Sequence, residues 1–269
     1  MGNVIRSDIY RLFRQKSLYI VMGIVALLNF AQGPILKIIY NLTKSIASED
    51  NVAEIGEFMS EMKFSTILSE ALGNVDTVLV LLVVIWFAYA DLAHGYIKNI
   101  AGQLSRKGNI VVSKTAVTGF IFLIMMPFAV IFQVIGYSLV TKVTFDNITD
   151  GLIIFAVKYV CLVAIGAILL LIVVGAHSQV FGAVVAVLTG AGFLQLAYLG
   201  INSAIDKIFK TKNFDINEYM PDSVLHGNFV NDAGDLETTL LIKGVVSAAV
   251  VIAVITPITI SIFNKKDVS

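Results

Sequence analysis

Long apolar stretches alternate with short polar segments along nearly the whole chain. Each stretch is apolar at consecutive positions, which predicts helices; the strands of a membrane barrel would alternate. Most stretches can cross the hydrocarbon core of a bilayer, which takes about 20 helical residues. The pattern therefore predicts an all-α membrane protein with six transmembrane helices, at residues 18–36, 72–90, 115–140, 152–174, 181–201 and 240–263.

The composition agrees with this prediction. Hydrophobic residues make up 57% of the 269 residues and charged residues 14%, whereas soluble domains have about 45–50% and 25%. Six spans and their loops leave no room for a large soluble catalytic domain. The single cysteine, Cys161, lies in an apolar run, so a disulfide framework and a cysteine-based metal site are both excluded.

The distribution of charge predicts the orientation. The segments 1–17, 91–114 and 264–269 together carry ten lysines and arginines against three acids. The remaining loops, with Lys243, carry eight basic residues against sixteen acids. Because cytoplasmic loops are enriched in lysine and arginine, the three basic segments are expected in the cytoplasm. Both termini are then cytoplasmic, which requires an even number of spans.

Three segments outside the spans have a pattern of their own. Residues 1–17 place Ile5, Ile9, Leu12 and Phe13 on one face, which predicts an amphipathic helix at the cytoplasmic interface or an extension of the first span. The segment 91–114 is either a short helix that offers a docking surface or a solvated basic loop. The outer loop 202–239 contains turn signals and apolar residues that predict short helices.

The chain carries no sequence motif of an enzyme. The phosphate-binding pattern G-x-x-x-x-G-K-[ST] is absent, and His94, His177 and His226 fall in three separate segments, so no metal site is predicted. Small residues at four-residue spacing allow close helix packing, either within the chain or between two copies, and packing within the chain is the safer interpretation. These ridges are Gly182, Ala186 and Gly190 in the fifth span, and Gly244 and Ala248 in the sixth.

Polar residues inside the spans are the candidates for contact with a transported molecule. Gln133, Lys158 and Gln195 lie in the outer halves of their spans. Lys158 could instead snorkel outward or pair within the protein. Because the spans contain essentially no buried acids, the sequence argues against transport coupled to an ion gradient and favours a hydrophobic cargo.

The chain resembles the type-2 permease family of ABC exporters, especially the members similar to bacitracin, lantibiotic and phenol-soluble-modulin exporters. Its leader, Arg6–Ser17, is basic and amphipathic, and Gly175–Val180 is a very short turn. The most specific match is Gly95–Ile100 followed by Leu104-Ser105-Arg106 and Val111–Lys114, which is similar to the family's coupling segment. Tyr219-Met220-Pro221 is similar to an element of its outer loop. The chain departs from the family at Asp91 and His94, where many members have a glutamate.

The resemblance implies a permease subunit in the bacterial plasma membrane that has no cofactor of its own. ATP and Mg²⁺ would bind a partner ATPase subunit, and a second permease copy, identical or not, would complete the pathway. The ATPase would act on the coupling segment, and the cargo would be an amphipathic or hydrophobic peptide such as a toxin or bacteriocin. The residues expected to contact the ATPase are Tyr96, Ile97, Lys98, Ile100, Leu104 and Arg106.

Other functions remain open on the sequence. The cargo could be a lipid, a lipophilic antibiotic or sodium. The chain could also be a carrier or channel driven by an ion gradient, or an immunity protein that sequesters a peptide without transporting it. An ATPase that copurifies with the chain and is stimulated by cargo would separate the exporter from the other two classes.

Overall fold

Helices account for most of the residues that the computed structural model describes, namely 2–46, 61–93, 108–145, 147–209, 215–227 and 236–265. A single turn of 3₁₀ helix covers Ile216–Tyr219. The α-helices are α1 (Gly2–Leu12), α2 (Lys16–Ile46), α3 (Phe64–Glu70), α4 (Asn74–Ala93), α5 (Asn109–Ser138), α6 (Ile148–Ala176), α7 (Gln179–Gly190), α8 (Leu194–Phe209), α9 (Pro221–His226) and α10 (Thr238–Lys265).

Four of these helices, α2, α5, α6 and α10, are each long and apolar enough to cross a membrane. The pairs α3–α4 and α7–α8 each pass the same test when their two helices are taken together, and they are bent by 46° and 75°. Within the described residues the protein thus has four candidate spans, or six if each bent pair is one span. The prediction of an all-α membrane protein is confirmed at this level.

Helix α6 is the centre of the bundle and packs against α3, α4, α5, α7, α9 and α10. It is apolar around its whole circumference, as expected for a helix with neighbours on every side. Ala164, Gly166 and Ala167 are buried along it, and their small side chains let neighbouring helices approach closely. The main hydrophobic core lies where α6 meets α4 and α5, around Phe87 and Phe122.

The small-residue ridges pack within the chain, as the sequence favoured. On α7, Gly182 contacts Val173 and Ile85, while Gly190 lies against the main chain of Val78. On α10, Gly244 faces Val224 and Val157, and Ala248 is fully buried. The α7 ridge therefore packs on α4 and α6, and the α10 ridge packs on α6 and α9.

The helix ends that the sequence assigned to the cytoplasm gather at one end of the molecule. Ile110 and Val111 at the start of α5 pack against Phe263 near the end of α10, with Leu92 of α4 and Val174 of α6 beside them. Helix α1 lies against α5 at this end. The opposite end is formed by α3, the start of α6 and α9.

The observed helix boundaries differ from the predicted span boundaries at several places. The span predicted at 181–201 is two helices, because the chain turns at residues 191–193, where Gly192 adopts a φ of +76° that disfavours other residues. The span at 72–90 starts at Asn74, after α3. Helix α2 continues ten residues beyond the predicted end at 36. The end of α4 and the start of α5 lie within the two ends of the segment 91–114.

The structure also contains two short strands, which the sequence did not predict. β1 (Glu61–Lys63) and β2 (Lys142–Thr144) pair in parallel, with Met62 opposite Val143. Met62 is buried in a small cluster with Ile67, Leu68 and Tyr137. The pair therefore fixes the start of α3 beside the end of α5, which positions α3 for the cavity described below.

Candidate functional site

A cavity of about 910 Å³ lies between α2, α3, the start of α4, α6 and α9, and we call it the polar cavity. Apolar side chains form much of its wall. Its polar lining consists of Gln32, Thr66, Ser69, Glu70, Asp76, Lys158 and His226. Charged groups inside an apolar bundle are costly to bury, and they mark functional positions in membrane proteins.

Lys158 lies ten residues after the start of α6, which is about 15 Å along the helix. Its side chain is buried, and its ammonium donates a hydrogen bond to the carbonyl oxygen of Ser69 in α3. Glu70 attracts it electrostatically. Lys158 is therefore paired within the protein, and its side chain lines the polar cavity. Its contact with cargo stays a prediction.

Gln133 of α5 is completely buried and joins three helices. Its Nε2 donates to Oε1 of Gln32 at 2.9 Å and to Oε2 of Glu70 at 3.3 Å. Tyr137 Oη donates to the same Gln32 oxygen at 3.4 Å. Gln133 therefore holds two residues that line the polar cavity, and it is connected to Lys158 through Glu70.

Asp76, in the first turn of α4, is the important residue that the sequence analysis missed. It exposes 4% of its surface, and its Oδ2 accepts a hydrogen bond of 2.8 Å from Asn29 Nδ2 of α2. Asn29 also donates to the carbonyl of Val25 at 2.8 Å. The second oxygen of Asp76, Oδ1, is buried and has no hydrogen-bond partner among the described residues.

This arrangement corrects the expectation that the spans hold essentially no buried acids. Asp76 lies inside the predicted span 72–90 and is buried there, while the exposed Glu70 precedes it in the bent pair α3–α4. The signal that could have found them is the pair of acids six residues apart immediately before an apolar run, facing an asparagine inside the first span. The argument against coupling to ions is weakened accordingly.

Gln195 lies in a separate cavity of about 410 Å³ between α8, α9 and the start of α10, which we call the second cavity. The structure therefore brings Gln133 and Lys158 together but leaves Gln195 apart from them. His226 and Gly227 line both cavities and form part of the wall between them. His226 Nε2 also lies 3.2 Å from the carbonyl oxygen of Thr189, at the end of α7.

The segment before α10 is held by polar contacts around α9. Tyr198 Oη donates to Asp222 Oδ1 at 2.9 Å, and Lys243 pairs with Glu218. Burial raises the pKa of Asp222, while the N–H of Asn217 lowers the pKa of Asp215. Burial lowers the pKa of His226, so the imidazole is neutral at pH 7.

The predicted ATPase contacts, Tyr96 to Arg106, lie outside the described residues. The adjoining start of α5 is described, and it packs on α1 through an acid. Asp8 of α1 accepts a hydrogen bond of 2.6 Å from Ser113 Oγ and lies 3.7 Å from the ammonium of Lys114. The amphipathic helix α1 therefore binds the bundle through buried polar contacts as well as through its apolar face.

Comparison with known proteins gives no assignment. No protein-family model matches the chain, and no curated protein matches it significantly.

Proposed function

We propose that this chain is the membrane-spanning subunit of an ATP-driven exporter with the type-2 ABC permease fold. It would move an amphipathic or hydrophobic peptide out of the cell across the bacterial plasma membrane. A separate ATPase subunit would bind ATP and Mg²⁺, and a second permease copy would complete the pathway. ATP can drive such a cycle only if its binding favours one conformation of the pair over the other.

The polar cavity is the observation that carries this proposal. Its volume of about 910 Å³ is large enough for part of a peptide or a drug-sized molecule. Its wall combines apolar side chains such as Leu28 and Ile154 with a few charged groups. This mixture suits an amphipathic cargo, which presents both kinds of surface.

Helix α4 supports the proposal because it joins the two relevant regions. Asp76 in its first turn lines the polar cavity, and its last residue, Ala93, adjoins the predicted coupling segment. Twenty residues of helix span about 30 Å, which is the thickness of the hydrocarbon core. A force applied to the coupling segment by the ATPase would thus reach the cavity along a single helix.

A substitution in the coupling segment tests the proposal. Ile100→Asp should abolish copurification of the ATPase subunit and its cargo-stimulated hydrolysis, because a charge replaces an apolar docking residue. Val180→Asp is the matched control, since Val180 is 73% exposed in the first turn of α7, where an acid is favourable. Normal assembly and hydrolysis in Ile100→Asp would contradict the assignment of the coupling segment.

A carrier driven by an ion gradient is the second candidate, and the buried Asp76 favours it. Acids in membrane segments often bind the coupling ion or proton of such carriers. This function would persist without any ATPase subunit, and it would be lost in Asp76→Asn. Transport that required ATP hydrolysis by a partner would exclude it.

A further inference from the structure

The charges that line the polar cavity do not balance. Among the described residues, Glu70, Asp76 and Lys158 are its charged side chains, and His226 is neutral at pH 7. Glu70 and Lys158 attract each other, so the charge of Asp76 is left over. A buried carboxylate without a counter-charge is strongly unfavourable.

The hydrogen bonds around Asp76 are also incomplete. The amide of Asn29 satisfies Oδ2, and the ammonium of Lys158, which lines the same cavity, donates to the carbonyl of Ser69. Oδ1 of Asp76 and Oδ1 of Asn29 are both buried acceptors without a partner among the described residues. A group that binds beside these oxygens would satisfy them by supplying hydrogen-bond donors, and a positive charge on it would also offset that of Asp76.

We propose that the polar cavity binds the ammonium group of an amphipathic cargo, such as a lysine side chain of the peptide, against the carboxylate of Asp76. This inference rests on the proposed function, and it changes the expected cargo from a merely hydrophobic peptide to a cationic amphipathic one. Asn29 fixes the orientation of the carboxylate, and Glu70 keeps Lys158 from neutralising it.

The apolar wall of the cavity would contact the apolar side chains of the cargo. Leu28 and Ile35 of α2 and Val75 of α4 line the cavity beside Asp76. Ile35 and Val75 are 50% and 63% exposed, so they offer apolar surface to a bound molecule. An ammonium at Asp76 with apolar side chains against these residues would satisfy both parts of the lining.

Binding of a lysine peptide to the purified chain tests this inference. The chain is placed in nanodiscs of zwitterionic lipid, and fluorescence polarisation gives the Kd of a short acetylated amphipathic peptide with one lysine. The reference ligand is the same peptide with norleucine in place of lysine. The lysine peptide should bind at least about tenfold more tightly, since the charge pair is formed away from water.

Two variants should remove that preference. Asp76→Asn keeps an oxygen that can accept from Asn29 but loses the charge, so both peptides should bind with similar Kd values. Glu70 is more exposed than Asp76. Glu70→Gln should reduce the preference for the lysine peptide, because Lys158 then neutralises Asp76. Asp222→Asn is the control for loss of a buried acid outside the cavity lining, and it should keep the preference.

An unchanged preference in Asp76→Asn would overturn the inference, whatever the result for Glu70→Gln. Displacement of the lysine peptide by Na⁺ or K⁺ at millimolar concentrations, with no effect of choline, would also overturn it in favour of an inorganic cation. The assay contains no ATPase, so failure of the inference can be distinguished from failure of the proposed function. If the preference were found but no ATPase partner existed, the proposed exporter would be wrong and the ammonium site would stand.

Discussion

At the scale of single residues, His226 connects the two cavities with the break between α7 and α8. Its imidazole contacts the carbonyl oxygen of Thr189, which also accepts a hydrogen bond of 3.1 Å from the N–H of Gly192 at the end of α7. Gly192, the residue with positive φ at the break, lies against the same ring. The His226 side chain, which belongs to α9, thus stabilises the bend between α7 and α8.

Low pH should reduce the stability of the protein through His226. Burial lowers the pKa of His226 below its usual 6.5, so the unfolded chain binds a proton more readily than the folded one. The resulting stability is present above pH 6.5 and is lost as the pH falls through the folded pKa. Lys158 and Asp222 shift this pKa in opposite directions.

The measurement is the melting temperature in detergent between pH 7.5 and 5. The wild type should lose stability below pH 6.5, and His226→Gln, which can still donate to Thr189, should lose less. His177→Gln is the control, because His177 is an exposed residue at the end of α6. Equal pH dependence of the wild type and His226→Gln would show that another group is responsible.

Some of the polar residues at the cavity could be predicted from the sequence, and others could not. Lys158 and Gln133 stand out because they interrupt apolar runs, and both are connected to the polar cavity. Asp76 does not stand out in the same way, since it lies at the start of an apolar run and not inside one. Pairing across 47 positions, as between Asn29 and Asp76, has no signature in local pattern.

At the scale of helices, α2 and α5 cross in close main-chain contact. A Cβ atom added to Gly33 would lie 2.1 Å from the carbonyl oxygen of Gly136, and one added to Gly136 would lie 2.3 Å from that of Phe30. The main chains therefore touch directly, and neither position accepts a side chain. This crossing forms one side of the region where Gln32 meets Gln133.

Gly33→Ala should therefore destabilise the protein by about 1–3 kcal/mol, the usual cost of overpacking. Gly23→Ala, in the same helix, has open space at its Cβ position and should be neutral or stabilising by up to about 1 kcal/mol. Unfolding in a mild detergent, followed by the fluorescence of the single tryptophan, Trp86, measures both. Equal stability of the two variants would mean that the helices separate readily.

The helices themselves were largely predictable, and their interruptions were not. Continuous apolar runs identify where the chain can cross a membrane, and the observed long helices cover those runs. The turn after Gly190 is different, because residues 191–193 are as apolar as their surroundings. The positive φ of Gly192, the packing of Gly190 on Val78 and the position of His226 distinguish it from continuous helix.

At the scale of the whole molecule, the bundle has two ends of different character. One end joins α1, the start of α5 and the end of α10, next to the predicted coupling segment. The other end carries the polar cavity and the second cavity, with α9 between them. The proposed account needs both, since energy would enter at the first end and cargo would leave near the second.

Transport into sealed vesicles tests that account most directly. The chain is reconstituted with and without its ATPase subunit, and uptake of a cationic amphipathic peptide is followed with ATP or with an imposed ion gradient. The account predicts accumulation against a gradient only when the ATPase subunit and hydrolysable ATP are both present. Uphill movement by the chain alone, with an ion gradient as the sole source of energy, would contradict it.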